Sequence, residues 1–189
     1  MDGLSGGYAL LPRPAGPVRL ERIGLDGLMA LRAHEDAEGF GALTCRPLRT
    51  RTEAEKRALY RTALDDPDML LCGICLPGRK EPIGKLTASD FNPRNRSAEL
   101  GYFLAPEFRG RGYVCAALRA FCVLLLGDLG LNKVYAQTGS FNAPSVALLE
   151  ACGFRRDGVL RAHHEQGGVL LDDYLYSLLR AECEAPSND

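Results

Sequence analysis

The chain has 189 residues, a formal net charge of −1, 46% hydrophobic and 25% charged side chains, which fits one globular domain with its own core. Lys and Arg number 23 against 24 Asp and Glu, so there is no basic surplus for a nucleic-acid footprint. The longest apolar run, residues 121–126, is far too short to span a bilayer.

Residues 1–17 are rich in Gly and Pro and read as a flexible lead without the pattern of a signal peptide, so a cytoplasmic protein is expected. Residues 18–180 form the single folded domain, and 181–189 a C-terminal tail. Residues 18–23 alternate apolar and polar, predicting a first strand. Asp26 caps a helix over 27–36. Thr52 and Glu55 have the spacing of a capping box, opening a second helix that runs to Leu64. Pro67 stops it. Strands follow at 69–76, 82–89 and 97–105, the first two joined as a hairpin. In the third, Ala98, Leu100, Tyr102 and Leu104 face one side, and Glu99, Gly101 and Phe103 the other. A helix over 112–128 carries an apolar stripe. Residues 132–138 make a strand, and Pro144 opens a helix that ends at Cys152 with Gly153 as its stop. Two strands, 154–164 and 168–179, close the chain. The fold class is therefore mixed α/β, with one strand–helix–strand unit in the middle.

Seven cysteines at irregular spacing argue for reduced thiols over a disulfide framework. Cys72 and Cys75 form a CxxC, but with no second pair and no suitably spaced His. No metal site is expected.

The most informative segment is 106–118. A strand ends, a glycine-rich turn follows, and an amphipathic helix starts. Helix N-termini leave N–H groups unpaired and carry partial positive charge. Gly110 and Gly112 let a ligand approach the backbone, and Arg109 and Arg111 add charge, so the turn suits a phosphate or pyrophosphate. A solvated surface turn is the plainer reading of the same four residues. Neither a Walker loop nor GxGxxG is present.

Arg109, Gly112 and position 114 resemble the R/Q-x-x-G-x-G/A signature of the GNAT superfamily of acyltransferases. Val114 departs from it, since Gly or Ala is usual there. Residues 130–161 are similar to the GNAT branch that contains the RimJ and RimL ribosomal-protein N-terminal acetyltransferases, at Asn132, Lys133, Val134, Asn142, Ser145, Leu148, Leu149, Gly153, Phe154, Gly158, Leu160 and Arg161. The likeness runs over residues 18–180.

The resemblance implies a GNAT fold: a central, mostly antiparallel sheet splayed between its fourth and fifth strands and flanked by helices. It implies that the turn holds the pyrophosphate of acetyl-CoA through Arg109, Gly110, Arg111, Gly112, Tyr113 and Val114. Leu100, Tyr102, Phe103 and Leu104 line the pantetheine arm, and Asn142 and Ser145 complete the site. Acyl transfer to an amine needs a proton acceptor, an oxyanion donor and a donor for the leaving thiolate. Glu99 stands where several GNAT enzymes carry a base, or is a polar outer-face residue. His164 stands where RimL-like enzymes carry a glutamate, or is an exposed strand-end residue. Ser145 takes the acid's place, because the family's tyrosine position is Leu149. Cys115 is either a packing residue or an acyl carrier. Asp172 and Asp173, placed before the last strand, either attract a cationic amine or sit in a solvated turn.

The expected reaction is N-acetylation of a primary amine: a protein or peptide N-terminus, an amino acid or a small metabolite. A longer acyl-CoA, a non-catalytic CoA-binding module and nucleotide binding are the alternatives. Acceptor choice falls to the loops at 24–50, 90–96 and 163–168. Many relatives dimerise, so a homodimer is open, with no residue pattern to fix it. Partners from nucleic acid or membrane are not expected.

Overall fold

The computed structural model describes residues 3–37, 39–44 and 49–183. Among them, eight strands form one sheet in the order β1-β2-β3-β4-β5-β6-β8-β7. The strands are β1 (Arg13–Ala15), β2 (Val18–Arg22), β3 (Leu70–Cys75), β4 (Gly84–Asn92), β5 (Ser97–Leu104), β6 (Lys133–Gly139), β7 (Arg155–Gln166) and β8 (Val169–Leu179). The helices are α1 (Leu25–Ala37), α2 (Glu53–Asp65), α3 (Tyr113–Cys122), α4 (Ala143–Ala151) and α5 (Arg180–Cys183). No helix among the described residues is long and apolar enough to cross a membrane.

All ladder pairs are antiparallel except β5 with β6. That parallel register holds only for Ser97 with Lys133, Ala98 with Val134 and Glu99 with Tyr135. Beyond Glu99, β5 stays paired with β4 and β6 with β8, so the sheet opens. This is the splay expected between the fourth and fifth strands of the fold, here β5 and β6.

The two faces of β5 go to different cores. Leu100 and Leu104 bury with α3, α4 and Leu149, and Tyr102 packs against the same cluster. Phe103 buries on the other face with Leu28, Leu31 and Tyr60 of α1 and α2. The strict alternation of β5 in the sequence is what assigns these sides. Burying apolar surface on both faces is the main stabilising term.

The capping box that opens α2 is present in full: Thr52 Oγ1 accepts from Glu55 N–H, and Glu55 Oε2 accepts from Thr52 N–H. Four expectations need correction. The lead over 1–17 is not loose where it is described. Residues Ser5–Leu10 form a 3-10 turn, Arg13–Ala15 is an edge strand, and Leu4 is fully buried with its N–H on Pro67 O. The helix predicted over 112–128 is α-helical only to Cys122, and Val123–Asp128 is a π-turn. The wider turn lets three consecutive leucines, Leu124, Leu125 and Leu126, all bury. Asp172 and Asp173 lie inside β8 rather than before it. Of the tail, 181–183 belongs to α5, and 184–189 lies outside the described residues.

One charge cluster sits under α1. Lys85 Nζ on β4 lies 2.8 Å from Glu35 Oε1, with side chains 12% and 4% exposed. It also donates to Tyr60 Oη at 3.2 Å, while Arg32 Nη1 reaches Glu35 Oε2 at 3.4 Å. Removing one partner of a buried pair strands the other charge. Lys85→Met is therefore expected to cost about 3 kcal/mol in denaturant unfolding, and Lys85→Met with Glu35→Leu markedly less. Equal losses in the single and double variants would show that the pair is not a coupled unit.

Candidate active site

The turn after β5 is built by two glycines. Gly110 and Gly112 have φ of +74° and +75°, a region that costs other L-residues about 1–2 kcal/mol. A Cβ added at either would meet nothing within 4 Å, so the space over the turn is open. Gly112 caps α3 with no side-chain hydrogen bond, and the first turn of α3 has no acidic residue. An anion is thus met by unopposed backbone N–H groups. Arg109 Nε donates to Leu104 O at 3.0 Å, and its guanidinium lies over the Phe103 ring at 5.9 Å. Arg109 therefore ties the turn to the end of β5, while Arg111 is exposed beside the opening. Tyr113 and Val114 are half-buried and pack against the α3-face core.

On the same face, α4 starts at Asn142, whose side-chain Oδ1 accepts from Ser145 N–H at 3.4 Å. Ser145 Oγ lies 2.6 Å from Tyr102 Oη of β5. Burial pushes the Tyr102 phenol up to about 12, partly offset by its Ser145 hydrogen bond. Leu149, where the family's tyrosine would stand, is fully buried. Leu100 and Leu104 are buried around this point, and Phe103 turns its ring to the opposite core against Phe40 at 5.0 Å. Phe103 can line a ligand arm with its backbone only.

On the α1 and α2 face stands Glu99, half-buried at the last β5 position paired with β6. Beside it, Thr87 and Gly101 are register partners, and a Cβ at Gly101 would come within 2.6 Å of Thr87 Oγ1. Farther along β6, Gln137 Nε2 donates to Asp173 Oδ2 at 2.7 Å. Asp173 is fully buried, which corrects the picture of a solvated turn. His164 is buried too, at 6% exposure, rather than exposed at a strand end. Its Nε2 donates to Ala42 O at 2.9 Å and its Nδ1 meets Asp173 Oδ1 at 3.2 Å. Phe141 packs on its ring edge-on at 4.9 Å. A carbonyl oxygen only accepts, so Nε2 holds a proton, and Nδ1 is taken by the carboxylate. Both ring nitrogens are therefore engaged in this arrangement. His163 is exposed beside it. Asp172 is bound locally, accepting Ala162 N–H at 2.8 Å.

Among the described cysteines, Cys72, Cys75, Cys122 and Cys152 are buried. Burial pushes Cys72 up to about 12 and Cys75 up to about 11. Cys115 Sγ lies 3.4 Å from Cys152 Sγ, turned into the α3–α4 contact. No group of three or more His, Cys, Asp or Glu that could hold a metal occurs among the described residues.

A glycine turn opening α3, a splayed β5–β6 pair and a hydroxyl pair on α4 occur together. The chain also matches the family described as "Acetyltransferase (GNAT) domain" over residues 19–155. The chain belongs to the GNAT acetyltransferase family. It is 35% identical over 101 residues to a putative ribosomal N-acetyltransferase, YdaF, of Bacillus subtilis, covering 53% of this chain and 55% of that protein. The chain spans about half the length of the curated relatives it matches. Among solved structures it resembles Mycobacterium smegmatis RimJ in complex with CoA-disulfide, at 25% identity and a TM-score of 0.75, covering 91% of this chain and 86% of that one. Its fold is also that of spermidine N-acetyltransferase from Vibrio cholerae in complex with CoA and spermine, at 20% identity and a TM-score of 0.82, covering 89% and 99%.

Within this GNAT domain, Asn142 and Ser145 meet at the start of α4 on the face of the turn, and Glu99 stands at the last β5–β6 pair. Sequence reasoning missed the Tyr102 hydroxyl as Ser145's partner and the Gln137–Asp173–His164–Ala42 chain. The available signals were a tyrosine on the α3 face of β5 and an acidic residue inside an apolar strand pattern.

Proposed function

We propose that this chain moves the acetyl group of acetyl-CoA to a primary amine by direct attack across the β5–β6 gap. The observation that carries this reading is the division of groups at the splay. Glu99 stands at its vertex on the α1 and α2 face, while Ser145 and the glycine turn lie on the α3 face. An amine arriving from one side meets a proton acceptor, and a thiolate leaving to the other meets a hydroxyl donor. The open space over Gly110 and Gly112 fits a phosphate-bearing donor, with the α3 N–H groups and Arg111 around its pyrophosphate. Bound acetyl-CoA supplies the activated acyl group.

The residues then divide the work. Glu99 takes the proton that the amine nitrogen loses as its bond to the acyl carbon forms. A β5 N–H beyond Glu99, freed from pairing with β6, faces the gap as a donor for the carbonyl oxygen. Ser145 donates a hydrogen bond to the sulfur as the C–S bond breaks and the sulfur keeps the electron pair. The His164–Asp173 pair stands outside this path. It fastens the stretch after α1 to β7 and β8 through Ala42, walling the amine side.

The Glu99 carboxylate on the amine side favours a cationic acceptor. The likenesses to YdaF and RimJ support a peptide N-terminus of the RimJ/RimL kind, and the fold shared with the spermidine enzyme supports a polyamine. A near-neutral net charge favours a free peptide or small amine over stable attachment to the ribosome. The test is thiol release from acetyl-CoA with peptides bearing a free N-terminus, amino acids and polyamines, with the amine product identified by mass. One thiol per acetylated amine is expected. Thiol release without acetylated amine, across the panel, would contradict transfer.

A further inference from the structure

Tyr102 and Ser145 come from β5 and α4, 43 residues apart, yet their oxygens lie 2.6 Å apart. Either hydroxyl can donate in this contact, and two features bear on its use. Burial pushes the phenol up to about 12, so it keeps its proton through the neutral range and is available as a donor. Ser145 is also fixed at its backbone, where its N–H points to Asn142 O and Oδ1 in the first turn of α4. A serine hydroxyl has one proton and two lone pairs. If the phenol occupies a lone pair, the serine's own proton must point elsewhere.

We propose that Tyr102 is a positioning residue for acyl transfer. Its Oη–H donates to Ser145 Oγ, and this aims the serine Oγ–H at the departing sulfur. The proposal rests on the transferase reading above. It also explains how the site works with Leu149 buried where the family's tyrosine would stand. The phenol comes instead from the strand, and it acts through the serine. No proton leaves Tyr102. The sulfur takes the C–S electron pair and departs as a thiolate hydrogen-bonded to Ser145, and the amine's proton leaves through Glu99. Charge and atoms balance without another reactant.

A phenol that merely fills space would make a different set of predictions. Tyr102→Phe keeps the ring and its packing. Turnover is expected to fall about tenfold, the worth of one hydrogen bond, with KM for acetyl-CoA unchanged. Ser145→Ala falls further. The double variant is no slower than Ser145→Ala, because Tyr102 acts only through the serine. Ser145→Thr, which keeps the hydroxyl, recovers most of the rate.

The second readout needs no acceptor amine. With CoA bound, the ultraviolet absorbance of its thiolate is followed against pH. A donor aimed at sulfur favours the thiolate, so the bound thiol ionises at lower pH in the wild type. In Tyr102→Phe its midpoint is expected to rise by about half to one pH unit, and in Ser145→Ala by at least as much. An unchanged midpoint in Tyr102→Phe, rate losses that multiply in the double variant, or an effect confined to KM would each overturn the proposal. Failure of the wild type itself to bind CoA would instead overturn the transferase reading, and the assignment of Tyr102 with it.

Discussion

Replacing Glu99 with Gln is expected to lower kcat/KM for the amine by about 10²–10⁴-fold, the usual range for a lost general base. The substitution keeps shape and removes only the charge and the basicity. Glu99 is half-buried at the end of the β5–β6 pairing, so the fold is expected to hold, with an unchanged melting temperature as the control. The loss has a pH signature. An amine with an ordinary value near 10 is mostly protonated at neutral pH, and its neutral fraction rises about tenfold per pH unit below that value. The variant, which lacks the acceptor for that proton, is expected to gain on the wild type as pH rises. A Glu99→Gln enzyme within about threefold of wild type at neutral pH would show that Glu99 is a surface polar residue and that water takes the proton.

A side chain at Gly112 is expected to act on the other substrate. Gly112→Val forces a β-branched residue to φ +75°, where it is strained, and places its atoms in the open space over the turn. If that space holds a pyrophosphate, two or three charge-assisted hydrogen bonds to backbone N–H groups are weakened. KM for acetyl-CoA is expected to rise about 10–100-fold, with kcat at saturation close to wild type. Arg111→Ala removes only an exposed charge. Its effect is expected to be a few-fold at low salt and to fade as ionic strength rises. Equal KM values for Gly112→Val and wild type, in a variant that melts normally, would place the donor elsewhere.

The parts of the fold set by short-range pattern were readable from the residues alone. The Thr52–Glu55 box, the alternation of β5 and the Pro144–Gly153 bounds of α4 each depend on neighbours within a few positions. Edge strand β1 escaped notice because three residues amid Gly and Pro carry too little periodicity, and its pairing partner β2 supplies the order. The π-turn escaped because three adjacent leucines suit an α-helix as well until tertiary packing asks all of them to bury. The same logic divides the site. The glycine turn is local and legible. The Tyr102–Ser145 bond spans two elements, and the Asp173–His164–Ala42 chain joins β8, β7 and the stretch after α1, with Ala42 lying 122 residues from His164. Those contacts exist only once the sheet has formed. His164 illustrates the consequence: its position suggested an exposed strand end, and the fold buries it with both ring nitrogens engaged.

The central claim is that the turn at Gly110–Gly112 and the splayed gap together hold an acyl-CoA. The most direct test is the melting temperature with acetyl-CoA, CoA and ATP at matched concentrations. A ligand at roughly 100 times its dissociation constant adds about 2.7 kcal/mol to a protein that binds it only when folded. In a domain of this size that is a rise of about 5–10 °C. The account predicts this rise with acetyl-CoA and CoA, its absence with ATP, and its loss in Gly112→Val. No rise with either CoA species, or an equal rise with ATP, would contradict it.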